Sequence, residues 1–129
     1  MAKVVIVEDE PAIAEMYRFK LAQSGYEVRF ALNGEEGLAL VQEFQPDLIL
    51  LDLMMPKMSG EEMLRRMRAS DWGKKAKVIV LTNVTEDVVA NQLDTLGISR
   101  YMVKANYTPS QVAQIVPAVL AEKPKVSNA

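Results

Sequence analysis

Polar side chains follow several of the most apolar runs in this chain, at the points where those runs stop. Glu8 and Asp9 come directly after one Val/Ile-rich run, and Asp52 follows a second. Thr82 closes a third run, and Lys104 follows a shorter one. Two carboxylates about 4 Å apart repel by about 4 kcal/mol at an effective dielectric constant of about 20. If these carboxylates converge, they must therefore hold a proton or a cation.

An all-oxygen site with few protein ligands and open water positions suits Mg²⁺ or Mn²⁺. Magnesium in turn suits phosphoryl chemistry, because it neutralises the oxygens of a transferring phosphoryl group. Lys104 could supply a second positive charge to that group, and Thr82 could donate a hydrogen bond to it. The residue types therefore predict a phosphoryl site, provided that the fold brings them together.

The fold that would do so is an α/β sandwich. Continuous Val/Ile/Leu runs are typical of strands buried on both faces, as in a parallel sheet. We expect strands near residues 3–8, 26–31, 47–51, 77–81 and 100–103. They alternate with five helical segments, which predicts a (βα)5 doubly wound five-stranded parallel sheet in a flavodoxin-like three-layer sandwich. The charged second strand is expected at an edge, and the carboxyl ends of the strands would form the site crevice.

The helical segments carry start and stop signals. The predicted starts are Pro11, Asn33 with Glu36, Ser59 with Glu62, Thr85, and Thr108 with Gln111. Gly25 and Gly97 are expected to stop the first and fourth helices. The last helix is expected to run to roughly Ala121, although Pro117 inside it should kink or shorten it.

The length and composition of the chain indicate one globular domain. The chain has 129 residues, half of them apolar and a quarter charged, with neither cysteine nor histidine. A disulfide framework, thiol chemistry and an imidazole base are thereby excluded. We divide the chain into a domain over residues 1–121 and a loose tail over 122–129.

Charge and hydropathy bear on location and partners. No apolar run approaches the roughly 18 residues that a membrane span needs, and no signal peptide is visible, so a cytoplasmic protein with no membrane association is expected. The net charge of −2 argues against direct DNA binding. The basic stretch from Arg65 to Arg68 is interpreted as a solvated helix face.

With these residues placed, the chain resembles a bacterial two-component receiver domain, the phospho-acceptor module of response regulators. The matching pieces are Val-Ile-Val-Glu-Asp-Glu-Pro over 5–11, Leu-Ile-Leu-Leu-Asp-Leu-Met-Met-Pro over 48–56, Ser59-Gly60, Val-Ile-Val-Leu-Thr over 78–82, and Tyr-Met-Val-Lys over 101–104. Five ordered pieces at this spacing form a specific signature. The resemblance covers the chain from Lys3 to about Leu120.

The resemblance implies a role for each site residue. Asp52 would accept a phosphoryl group from a sensor histidine kinase or a phosphotransfer protein. Asp9, Asp52 and the backbone carbonyl of Met54 would bind Mg²⁺, which Glu8 would support through water. Lys104 would pair with the phosphoryl oxygens.

The resemblance also implies a two-state switch. Thr82 would move towards the phosphoryl group and Tyr101 would change rotamer, altering the surface offered to a downstream target protein. Such a protein would catalyse only its own phosphorylation and dephosphorylation.

Two positions depart from the family pattern. Ala105 stands where members commonly carry a proline after the lysine, and we predict a trans Lys104–Ala105 peptide because a cis bond before a non-proline residue costs about 3–4 kcal/mol. Asn83 stands where a very small residue is usual, and we expect it to screen the site partly.

Three alternatives are weaker. A Mg²⁺-dependent phosphatase with an aspartyl nucleophile usually needs a carboxylate two residues after that nucleophile, where this chain has Met54. A receiver kept only as a scaffold would require loss of a key group, yet Asp9, Asp52, Thr82 and Lys104 are all present. A flavodoxin-like cofactor carrier is excluded, since no Gly/Ser/Thr-rich phosphate loop follows the first strand.

Overall fold

Five parallel strands form one sheet, as the apolar runs predict. The structure is a computed structural model that describes residues 1–83 and 92–123. The strands are β1 (Lys3–Val7), β2 (Glu27–Ala31), β3 (Leu48–Leu51), β4 (Lys77–Thr82) and β5 (Arg100–Val103). Their order across the sheet is β2-β1-β3-β4-β5, and every neighbouring pair is parallel. The charged second strand is therefore an edge strand, as expected.

Four helices have defined bounds in the described part of the chain. They are α1 (Pro11–Gln23), α2 (Gly34–Phe44), α3 (Gly60–Ala69) and a C-terminal helix (Pro109–Ala121). Short 3₁₀ turns cover Asp71–Gly73 and Lys104–Asn106. The predicted start of another helix at Thr85 lies outside the described residues, but Gln92 to Asp94 are helical, and Gly97 follows with a φ of 72°. Only glycine adopts that conformation without strain, which supports the predicted stop.

The predicted caps are present at three helix starts. The side chains of Asn33, Ser59 and Thr108 accept hydrogen bonds from the backbone N–H three residues on, and Thr108 forms a complete capping box with Gln111. Each such bond satisfies one of the N–H groups that a helix start leaves without a partner. Pro117 does not shorten the C-terminal helix, which continues to Ala121 with the proline exposed.

Helices cover both faces of the sheet, which gives the three layers. One core cluster joins α2 and α3 to β1, β3 and β4, through residues such as Val41, Met63 and Val80. The other joins α1 and the C-terminal helix to the opposite face, through residues such as Leu21, Leu50 and Val116. Every residue of β3 is buried, as is every residue of β1 after Lys3, which explains why these runs are continuously apolar rather than alternating.

Arg68 contradicts the solvated-face interpretation of the basic stretch in α3. Arg65 and Arg66 are exposed, but Arg68 is buried. Its guanidinium donates to four backbone carbonyls, those of Leu96 (2.8 Å), Gly73 (2.9 Å), Lys74 (3.2 Å) and Gly97 (3.2 Å). Met63, Leu64 and Met67 form the buried face of α3, but the long arginine stem reaches past that face to the ends of neighbouring elements.

Candidate functional site

Three carboxylates meet at the carboxyl edge of the sheet because β1 and β3 are adjacent. Val7 is registered against Leu51, the last residue of β3, so the residues that follow them, Glu8 and Asp52, emerge side by side. The backbone N–H of Asp52 donates to the carbonyl of Val7 at 3.0 Å and fixes this alignment. One oxygen from each of Glu8, Asp9 and Asp52 lies within 4.8 Å of the others. This set of hard oxygen donors fits Mg²⁺.

Lys104 completes the cluster from β5. Its ammonium donates to both carboxylate oxygens of Glu8, at 2.8 and 2.9 Å, and to Oδ2 of Asp52 at 3.2 Å. An ammonium has three N–H donors, so Glu8 and Asp52 engage all of them. The predicted convergence of Glu8, Asp9, Asp52 and Lys104 is present in the structure.

Electrostatics of the cluster depend on the burial of Glu8. Burial raises the pKa of Glu8 to about 7, the hydrogen bond with Asp52 adds to this, and Lys104 opposes it. Burial lowers the pKa of Lys104, but its hydrogen bond to Glu8 and the charge of Asp52 outweigh that effect, so the pKa lies above its ordinary value. At neutral pH the cluster therefore contains a charged ammonium and a Glu8 carboxyl close to its titration midpoint.

The loop after β3 contacts both the side chain and the backbone of Asp52. Oδ1 of Asp52 accepts a hydrogen bond from the backbone N–H of Met54 at 3.2 Å, while the Met54 side chain is exposed. Gly60 lies against the Asp52 backbone, where an added Cβ would collide with the Asp52 carbonyl oxygen. Only glycine allows this close approach, so Gly60 holds the loop against the end of β3.

Thr82 and Tyr101 occupy different positions relative to the cluster. Thr82 is the last residue of β4, is fully buried, and is registered against Val103. Tyr101 lies two residues earlier in β5, is registered against Val80, and packs against the core cluster on the α2 and α3 face. Thr82 therefore lies at the carboxyl edge of the sheet, where the carboxylates meet. Tyr101 lies farther from that edge, two residues before the end of β5.

The structure shows the backbone at Ala105 and the exposure of Asn83, the two positions that depart from the family pattern. The Lys104–Ala105 peptide is trans, as predicted, and a 3₁₀ turn beginning at Lys104 directs the amine to the carboxylates. Asn83 follows the last residue of β4 and is exposed.

Tyr17 was missed as a site residue, because the helical spacing of Ile13, Met16, Tyr17 and Leu21 predicts only that these residues lie on the inner side of α1. Its side chain belongs to the core cluster on that face, but it also lines a small cavity together with Glu8, Asp52 and Lys104. Helical spacing correctly predicted that Tyr17 is buried. It could not indicate that this turn of α1 lies beside the carboxylates. Met16, predicted on the same inner side, is exposed.

Comparison with known proteins identifies the family. Residues 4–116 match the response regulator receiver domain. The phosphate regulon transcriptional regulatory protein PhoB of Rhizobium meliloti is 34% identical over 126 residues, which are 98% of this chain and 56% of that protein. The chemotaxis protein CheY4 of Vibrio cholerae has a similar structure, with a TM-score of 0.85, 31% identity, and coverage of 92% of this chain and 98% of that one.

A further relative bears on nucleic-acid binding. The DNA-binding dual master transcriptional regulator RpaA of Synechocystis is 39% identical over 82 residues, 64% of this chain and 34% of that protein. The chain spans about half of PhoB and about a third of RpaA.

These relatives contradict the expectation that the protein has only protein partners and does not bind DNA directly. PhoB is named a transcriptional regulatory protein, and RpaA is named a DNA-binding regulator. The expectation was wrong because the net charge of −2 describes these 129 residues alone. The net charge of this part carries no information about the parts of such relatives that the chain does not cover, which are 44% of PhoB and 66% of RpaA.

Among the described residues, no helix is both long and apolar enough to span a membrane. The cytoplasmic location stays a prediction. The match over residues 4–116, the parallel five-stranded sheet and the acidic edge agree with one another. The chain belongs to the response regulator receiver domain family of two-component signalling.

Proposed function

We propose that Asp52 is the phospho-acceptor of this receiver and that a phosphohistidine of a sensor histidine kinase or phosphotransfer protein is its donor. The observation that carries the proposal is the convergence of Glu8, Asp9 and Asp52 with the Lys104 ammonium at one sheet edge. Asp52 is the member that has both an ammonium on one oxygen and a backbone N–H on the other.

The reaction forms an acyl phosphate on Asp52. A carboxylate oxygen of Asp52 attacks the donor phosphorus, the phosphorus–nitrogen bond breaks, and its electron pair leaves with the imidazole nitrogen. Lys104 exchanges a carboxylate contact for the phosphoryl oxygens, where its positive charge stabilises the group that has arrived. When bound, Mg²⁺ supplies charge neutralisation to the same oxygens.

The proposed metal ligands are Asp9, Asp52 and the carbonyl of Met54, with Glu8 acting through water. Glu8 suits the indirect role because both of its oxygens are already engaged by Lys104. In this arrangement a bound metal ion would share with Lys104 the compensation of the negative charge of Glu8 and Asp52.

Switching follows from contacts that exist only in the phosphorylated form. The proposed sequence is that Thr82 donates to a phosphoryl oxygen and that Tyr101 changes rotamer in response. Because such contacts favour one of two conformations, phosphorylation shifts their populations. The chain would catalyse only its own phosphorylation and dephosphorylation, within a domain over residues 1–121.

Intact mass measurement tests the proposal. The protein is incubated with acetyl phosphate and Mg²⁺, beside Asp52→Asn and a metal-chelated sample. We expect one phosphoryl adduct on the wild type only. Asp71→Asn is a matched control, because it makes the same change at a fully exposed carboxylate, and it should be phosphorylated normally. An adduct on Asp52→Asn, or none on the wild type from either acetyl phosphate or a phosphohistidine donor, would contradict the proposal.

The apparent affinity for Mg²⁺ is expected to rise with pH. The pKa of Glu8 is raised to about 7 in the folded protein, so below that pH the metal must displace a proton. Between about pH 6 and pH 8 the affinity should increase about tenfold, flattening above the pKa. The same shift makes the metal-free fold lose stability as pH rises from about 4.5 through 7, because the folded state prefers the protonated carboxyl. Calorimetric titrations in buffers of different ionisation enthalpy would count the released proton, and Glu8→Gln should abolish the pH dependence.

Replacing Asn83 with alanine is expected to accelerate loss of the phosphoryl group severalfold. Asn83 is exposed directly after Thr82, at a position where its side chain can limit the approach of water to the acyl phosphate. The decay of the phosphorylated protein, followed by intact mass after removal of acetyl phosphate, measures this. Equal decay rates for the wild type and Asn83→Ala would count against a screening role.

A further inference from the structure

The loop between β3 and α3 contains a residue in a strained backbone conformation. Lys57 has a φ of 67°, in the left-handed region that residues with a side chain seldom adopt. The backbone N–H of Met58 donates to the carbonyl of Pro56 at 2.8 Å, across Lys57. A hydrogen bond to the carbonyl two residues earlier, with a positive φ between, is typical of the rarer and more strained form of the γ-turn. Such strain persists only where the surrounding structure enforces it.

Two methionines that contact the core hold this turn in place. Met55 packs against the core cluster of α2 and α3, and Met58 is buried within that cluster. The Met58 carbonyl also lies against Gly34 at the start of α2, so closely that a Cβ at that glycine would collide with it. Between the two methionines, the ring of Pro56 fixes its own φ, so the change of direction that returns the chain to the core falls on Lys57.

The Lys57 side chain does not account for the turn. It is exposed, and within residues 1–83 and 92–123 its ammonium has neither a hydrogen bond nor an ion pair. The loop therefore requires the backbone conformation of Lys57 rather than its charge.

The same loop holds the backbone of Met54 against the site. The Met54 N–H donates to Oδ1 of Asp52 at 3.2 Å, and the Gly60 N–H closes the loop by donating to the Leu53 carbonyl at 3.0 Å. Only two residues separate Met54 from Lys57. If the φ of Lys57 became negative, the chain would leave the turn in another direction. Either the core contacts of the loop or the hydrogen bond between Met54 and Asp52 would then be lost.

We propose that Lys57 is a positioning residue of the phosphorylation site, whose left-handed backbone conformation keeps the Met54 backbone on the Asp52 carboxylate. The inference rests on the proposed function, in which the Met54 carbonyl and Asp52 bind Mg²⁺. The strain at Lys57 is then a consequence of holding a backbone ligand beside the phospho-acceptor. Because only molecules with this loop conformation bind the metal at full affinity, the apparent affinity falls with the fraction of molecules that have it.

Lys57→Gly, Lys57→Ala and Lys57→Val test the inference, since the three variants have the same charge and differ in how readily they adopt a positive φ. Glycine adopts it freely, alanine less readily, and a β-branched residue least of all. In metal-free protein we expect the thermal midpoint to fall by about 2–8 °C from Lys57→Gly to Lys57→Val. The dissociation constant for Mg²⁺, measured by calorimetric titration where all three variants are folded, should rise at least about threefold over the same series. Dissociation constants that agree within about twofold would overturn the inference, because a purely structural role changes the thermal midpoint alone.

Gln45 provides the matched control. It is the other residue with a side chain and a positive φ in the described part of the chain, with a φ of 50°, and it caps the end of α2 before β3 begins. Gln45→Gly, Gln45→Ala and Gln45→Val should shift the thermal midpoint in the same order and leave the Mg²⁺ affinity unchanged. An equal change of affinity in both series would indicate a general effect of stability and would also overturn the inference.

Hydrogen exchange at the Met54 amide provides a test that does not depend on the metal. In metal-free protein this exchange, followed by NMR, should be at least about threefold faster in Lys57→Val than in Lys57→Gly, because the hydrogen bond to Asp52 is broken more often. Equal exchange rates would overturn the inference even if Asp52 is the phospho-acceptor. Faster exchange in Lys57→Val, together with a wild type that binds no Mg²⁺, would instead contradict the proposed function.

Discussion

Lys104→Met is expected to bind Mg²⁺ at least tenfold more tightly than the wild type. The ammonium donates to both Glu8 oxygens and to Asp52, and only 17% of its side chain is exposed. A unit positive charge about 4 Å from a bound cation costs about 4 kcal/mol per unit charge at an effective dielectric constant of about 20. The gain in Mg²⁺ affinity will be smaller than this repulsion energy, because Glu8 takes up a proton more readily once the lysine is gone.

The same substitution should make the metal-free protein less stable. Removing one partner of a buried ion pair leaves the other charge uncompensated, at a cost of about 3–5 kcal/mol, which protonation of Glu8 reduces. Added Mg²⁺ should restore the stability of Lys104→Met more than that of the wild type, because it replaces the lost positive charge.

Calorimetric titration and thermal unfolding with and without Mg²⁺ measure both effects. Lys75→Met is the matched control, since it removes the same charge from an exposed residue just before β4. Lys75 therefore lies at the amino end of the strands, whereas the carboxylates lie at their carboxyl end. Unchanged or weaker Mg²⁺ binding by Lys104→Met would show that the ammonium does not compete with the metal. Tighter binding by both variants would indicate a general effect of net charge.

The fold and the acidic edge could be predicted because local and global signals agree in this chain. Continuous apolar runs indicated buried parallel strands, and glycines and capping residues bounded the helices. The rule that parallel strands end at one edge placed Glu8, Asp52 and Lys104 together. The confirmed arrangement depends on strand order, and the charged composition of β2 correctly assigned it to an edge.

The remaining features depend on side-chain reach, which spacing does not encode. Helical periodicity places Tyr17 on a buried face, but whether its hydroxyl meets a core or a charged site depends on how α1 crosses the sheet. Arg68 lies in a run of arginines that is solvated except at this one position. The sequence does not predict that Lys104 pairs with Glu8 as well as with Asp52, because the turn after β5 determines where the ammonium lies.

Arg68 also carries the largest expected effect on stability. Burial lowers the pKa of Arg68 to about 10, so the guanidinium is charged at neutral pH and burial of that charge has a cost. No carboxylate among the described residues is paired with it. The four backbone carbonyls that accept its hydrogen bonds offset the cost, and they belong to the turn after α3 and to the helix end before β5.

Arg68→Met is expected to lower the free energy of unfolding by about 3 kcal/mol or more. A buried carbonyl left without a partner costs about 1–3 kcal/mol, and four are affected, although relief of the buried charge recovers part of the loss. Arg68→Lys should give an intermediate loss, because an ammonium keeps the charge but cannot span carbonyls that the planar guanidinium reaches in different directions. Arg66→Met, which breaks an exposed pair with Glu62, should change stability by less than about 1 kcal/mol. Urea titration followed by the fluorescence of Trp72, the sole tryptophan and the neighbour of Gly73, measures all three variants. Equal stabilities for Arg68→Met and Arg66→Met would mean that water satisfies these carbonyls as well as the guanidinium does.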